Sequence, residues 1–226
     1  MDYELIKNKL YSMQDEKYQK FSSSLIPEHG NFIGVRLPDI KNLAKEIADD
    51  DPVKFLNCAK DDSFEEIMLQ GFVISKIKDF NTVINLCEKH IPKIYNWSLC
   101  DSFVMSLKIF NKHKPEVFEF IQPYLKSEKT YDLRFAIVVL LDYFVEEQYL
   151  PKLFEIFDFV KHDDYYVKMA LAWAVSVCFV KFPDETMEYL KNCDLNNDVF
   201  NKTLQKIRES NRVKAETKAI IKTMKK

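Results

Sequence analysis

The chain has 226 residues, enough for one large domain or two small ones, and its 47% hydrophobic and 30% charged residues are ordinary for a soluble protein. Only 3 glycines argue against sheets joined by tight turns and against Gly-rich phosphate loops. A formal charge of −2 lacks the basic excess usual for nucleic-acid binders, although a local basic face can serve the same end.

In chain order, residues 20–34 (KFSSSLIPEHGNFIG) hold three serines, Pro27, Glu28 and Gly30, a composition that predicts a loop or a broken helix. A helix opened by Pro38 follows. Apolar helices are then predicted to start near Ser63 (SFEEIMLQGFVISKI), Trp97 (WSLCDSFVMSLKIF), Tyr131 (YDLRFAIVVLLDYF), Tyr165 (YYVKMALAWAVSVCF) and Asp198 (DVFNKTLQKI). Between them lie second amphipathic segments: NTVINLCEKHI, PEVFEFIQPYL, LPKLFEIFDFV and PDETMEYLKNC. Pro115 and Pro183 suit a first helical turn, where the missing N–H costs little. The end, KAETKAIIKTMKK, predicts a terminal helix with a basic tip. No convincing alternating strand stands out.

The first helices recur about every 33–35 residues, each of the first four followed by a second helix. This predicts an all-α fold, an α-solenoid of HEAT-like helix pairs. The repeats start near 38, 63, 97, 131, 165 and 198, in one domain over 1–226 with a curved, concave face. Such a surface by itself favours binding or scaffolding.

Five cysteines show no CxxC and no regular spacing, and no signal peptide is visible; they read as free thiols in a reducing cytoplasm. The four histidines form no zinc-ligand spacing, and no metal is expected. No apolar run reaches the roughly 18 residues of a membrane span; MALAWAVSVCFVKF is too short and reads as a buried helix.

Trp97 and Asp101, four residues apart on a helix, share one face. One reading is packing: an indole against the next repeat and a carboxylate bonding a loop. The other follows from the repeat. Arg134 lies 37 residues after Trp97, and Trp173 lies 39 after Arg134, close to one repeat each time. If the first helices line one side, both tryptophans, a carboxylate and a guanidinium share a strip. Indole faces attract cations, a carboxylate stabilises developing positive charge, and a guanidinium can hold a phosphate.

The order Trp-x3-Asp-Ser, then Arg followed by Ala-Ile two residues on, then Ala-x-x-Trp, resembles the AlkD-type DNA alkylation repair family of HEAT-like-repeat DNA glycosylases. FIGVRLPDIKNLAKEI (32–47) and NKTLQKIRESNRV (201–213) are similar to its first and last repeats, and the likeness covers roughly residues 30–213. The resemblance implies hydrolysis of the N-glycosidic bond of cationic alkylpurines, such as 3-methyladenine and 7-methylguanine, in duplex DNA. It implies Asp101, Trp97 and Trp173 as catalytic residues and Arg134 as a DNA backbone contact. Arg36, Lys41, Lys168, Lys202, Lys206 and Arg212 are the further candidate phosphate contacts, with Arg208 beside them on the last repeat. No cofactor is required, and a cytoplasmic monomer is expected, with duplex DNA as partner and no membrane. The alternatives are a related DNA-binding protein with weak or no excision activity, or a HEAT-like scaffold for a protein partner. Two departures accompany the likeness. Ser176 stands where the family commonly has an Arg, and Arg36 where a Gln is frequent.

Overall fold

The computed structural model of the chain describes residues 2–26 and 30–226, and among these there are helices and no strand. Two compact units divide it, Met1–His113 and Lys114–Lys226.

The first unit holds α1 (Tyr3–Ser12), α2 (Glu16–Leu25), α3 (Leu37–Asp50), α4 (Pro52–Cys58), α5 (Phe64–Ile74), α6 (Phe80–His90) and α7 (Trp97–Ser106). α3, α5 and α7 pack side by side, and α1, α4 and α6 lie against α5. The middle helix is buried along its whole length, charged residues included. The second unit repeats the scheme with α8 (Lys114–Ile121), α9 (Thr130–Tyr143), α10 (Leu150–Phe159), α11 (Tyr165–Lys181), α12 (Pro183–Asn192), α13 (Asn197–Glu209) and α14 (Ala215–Thr223). Here α9, α11 and α13 form the inner row, α8 covers α9, α10 and α12 flank α11, and α14 closes on α13.

Local chemistry explains the starts. Ser63, Asn96, Asp164 and Asn196 cap α5, α7, α11 and α13, each side-chain oxygen accepting a first-turn N–H. Prolines occupy the first turns of α3, α4, α10 and α12, where no intrahelical donor is lost. The helices α3, α5, α7, α9, α11 and α13 start within about one residue of the positions expected from apolar spacing.

In the 20–34 stretch the serines lie inside a helix, and the break comes after them. Ser22, Ser23 and Ser24 are helical, in α2, because Asp15 caps that helix at the Tyr18 N–H and the Ser23 and Ser24 hydroxyls donate back to the Lys20 and Phe21 carbonyls. The helix ends at Leu25; Ile26 is extended and Gly30 has φ +59°. Residues 27–29, with Pro27 and Glu28, lie outside the described residues.

None of the five cysteines is in a disulfide: Cys87, Cys100, Cys178 and Cys193 are buried and Cys58 is exposed. No described helix is long and apolar enough to cross a membrane.

Candidate nucleic-acid site

In the first unit the site candidates sit on α7. Asn96 opens this helix, its Oδ1 accepting the Leu99 N–H at 3.0 Å. Leu99, Cys100, Phe103 and Val104 face the interior. Trp97 and Asp101 share the other edge, both half-buried. The indole is thus not lost in inter-helix packing, the outcome that a purely structural tryptophan would have shown. Asp101 stands one turn in from the start of α7.

Close approach of α5 seats α7. A methyl on Gly71 would lie 3.0 Å from both His90 Nε2 and Phe103 Cδ2, so the missing side chain lets the three helices meet. The His90 ring stands edge-on to Phe103, centroids 4.6 Å apart. Burial holds the His90 imidazole neutral and pushes its pKa down to about 3, with Lys93 adding to the effect.

A second buried feature escaped the sequence reading. The Glu65 carboxylate accepts the backbone N–H groups of Ile33, Gly34 and Val35, at 2.9, 2.6 and 3.2 Å. Burial pushes this carboxyl above its ordinary range, while the three donors oppose the shift. The hydrophobic-Gly-hydrophobic step before α3 is therefore anchored from the first turn of α5. An acidic residue just after a Ser cap was the only signal, and such residues are common at helix starts.

The basic candidates of this unit are engaged. Arg36 donates from Nη2 and Nε to one oxygen of Asp15, at 2.7 and 3.2 Å, and stands 5.0 Å over the Tyr18 ring. The Lys41 ammonium lies 5.4 Å from the Phe72 ring centre.

In the second unit Arg134 is only 5% exposed. Its Nη1 donates to the Tyr166 carbonyl at 2.6 Å, tying α9 to the first turn of α11. Tyr166 is fixed further by the Asp164 cap, at 2.7 Å, and by the Tyr131 ring. Trp173, two turns along α11, is half-buried between buried Ala172 and Ala174. It lines a cavity of about 360 Å³ with Ser176, Lys181, Lys206 and Arg212. The Ser176 hydroxyl donates to the Trp173 carbonyl at 2.7 Å. This serine adds no charge to the cavity, but Lys206 and Arg212 from α13 and the turn after it do.

Lys168 and Lys202 line a different cavity, of about 750 Å³, together with Arg208. Lys168 pairs with Asp198 at 3.1 Å and Lys202 donates to Gln205 at 2.9 Å. The structure thus gathers Trp173, Lys206 and Arg212 in one cavity and Lys168, Lys202 and Arg208 in another. Arg134 is directed into a helix junction.

A family model described as DNA alkylation repair enzyme matches residues 6–219. Among curated proteins, none matches the chain.

Proposed function

Because the chain belongs to the DNA alkylation repair enzyme family, we propose that it hydrolyses the N-glycosidic bond of cationic alkylpurines, 3-methyladenine and 7-methylguanine, in duplex DNA. The observation that carries this reading is the half-exposed Trp97–Asp101 pair on α7.

The chemistry suits those groups. A methylated purine already carries positive charge and leaves as a neutral base, so no general acid is needed. As the C1′–N bond breaks, the sugar gains oxocarbenium character, as in other glycoside cleavages. Asp101 stabilises that cation and orients the water whose oxygen bonds to C1′. Indole faces such as those of Trp97 and Trp173 attract cationic centres. Arg134, which the resemblance implies as a backbone contact, is committed to the Tyr166 carbonyl and sets α9 against α11. Lys181, Lys206 and Arg212, set against Glu209, supply net positive charge around Trp173 where Ser176 supplies none. Lys168, Lys202, Arg36 and Lys41 are assigned to phosphates further along the duplex.

A second reading, DNA binding with weak or no excision, is favoured by the engagement of Arg36 with Asp15 and the burial of Arg134. One assay decides: release of 7-methylguanine from methylated duplex DNA by the wild type and by Asp101→Asn. The expected outcome is release by the wild type and a fall of roughly 100-fold in kcat in the variant. Release that survives the substitution removes Asp101 from the chemistry. Salt-sensitive duplex binding without release by the wild type establishes the second reading.

A further inference from the structure

The cavity of about 750 Å³ between α11, α13 and α14 lies within the size range of small-ligand sites, about 300–1,000 Å³. Its floor is apolar, from Met169, Leu204 and Ile221, the last two buried. One wall is Tyr165, which leaves 60% of itself exposed although it is aromatic. Its ring stands at 85° to that of Tyr166, 5.3 Å away, and is thereby held in place.

The rim is cationic. Lys168 is neutralised by Asp198, which leaves Lys202, Arg208, Lys222 and Lys225 against Asp163 alone. The lysines of α14 are carried by a docked segment. Ile221 is fully buried, and the Asn201 amide donates to the Lys226 backbone oxygen at 2.8 Å and accepts the Lys226 N–H at 3.1 Å. The Lys226 ammonium covers the Phe200 ring at 4.3 Å.

An exposed aromatic face beside clustered cations, over an apolar floor, is the chemistry that holds an unpaired nucleotide: the base stacks and the phosphate is neutralised. We propose that this cavity is a nucleotide-binding site, taking an unpaired base against Tyr165 and its phosphate among Lys202, Arg208, Lys222 and Lys225. The lining of the cavity includes neither Trp97 nor Asp101, and binding there needs no excision chemistry.

The test uses the full chain and a 5′-phosphorylated thymidine tetranucleotide, with binding followed by calorimetry. The wild type is expected to bind it, Tyr165→Ala to weaken binding about tenfold, and Tyr165→Phe to keep it, because stacking needs the ring and not the hydroxyl. Lys222→Glu with Lys225→Glu is expected to weaken binding and flatten its salt dependence. Circular dichroism checks that each variant is folded. Thymidine 5′-monophosphate as competitor separates the sources: displacement assigns the site to free nucleotides as well, and failure to displace assigns it to a DNA strand. Release of 7-methylguanine from blunt duplex is expected to be the same in Tyr165→Ala as in the wild type. A wild type that does not bind the tetranucleotide, or a Tyr165→Ala variant that binds it equally well, overturns the proposal. A chain that binds it but releases no base overturns only the excision reading.

Discussion

Gly34 has φ +95°, and a methyl added there would lie 2.6 Å from the Gln19 Cβ and 2.9 Å from the Asp15 carbonyl oxygen. Neither atom is the free end of a flexible side chain, and the Gly34 amide is already committed to Glu65. Gly34→Ala is therefore expected to lower stability by about 2–4 kcal/mol, a left-handed backbone penalty plus a clash. A fall in the urea midpoint at unchanged slope would show it. The glycine itself was legible in FIGV as part of a family-like step. Its partner was not, because Glu65 lies 31 residues away and that pairing is made by folding. The same separation hid the state of Arg134. Its position in the repeat could be counted, but the carbonyl that receives its guanidinium stands 32 residues on. Trp97 and Asp101 were the easiest to read, since helical spacing alone puts i and i+4 together.

α5, α7, α11 and α13 were legible because two independent signals coincide at each start, whereas α9, preceded by Lys129, has the apolar spacing alone. Apolar spacing marks the helix and a Ser, Asn or Asp immediately before it supplies the cap. α2 was harder. Three successive serines read as a breaker, yet their hydroxyls can bond back along a helix already capped by Asp15, and the break moves to the residues after Leu25. A pH effect belongs to the helix junction of α5, α6 and α7. His90 stays neutral in the fold down to about pH 3, whereas the unfolded chain takes up a proton near the ordinary value of 6.5. Below 6.5 the unfolded state binds the extra proton, so this group removes stability as pH falls, by up to about 1.4 kcal/mol per pH unit. Buried Glu65 and Glu66, whose carboxyls are pushed up, act with the opposite sign above the ordinary carboxylate range. A comparison with His90→Leu isolates the histidine. Denaturant unfolding at pH 7.5 and 5.5 is expected to show the wild type losing more stability than the variant between the two.

For the molecule as a whole, a net charge of −2 means that any grip on DNA is local, through cations gathered on particular surfaces. Under the proposed function, log Kd for a duplex should vary linearly with log salt, each phosphate contact adding about 0.9 to the slope. Lys206→Glu with Arg212→Glu is expected to lower that slope by roughly 2, measured by fluorescence anisotropy across a salt series. An unchanged slope would place the duplex elsewhere on the protein. The disposition of the thiols has a consequence of a different kind. Four of five are inside, and burial pushes Cys87, Cys178 and Cys193 upward, so they are held as neutral thiols. Thiolates, not thiols, are the nucleophiles. Titration of the native chain with an aromatic disulfide reagent is expected to count one reactive group, Cys58, and five after denaturation. The methylating agents that make lesions in DNA attack sulfur as well. A repair protein that keeps its thiols out of reach protects its core through the exposure that calls for it, with Cys58 as the thiol left on the surface.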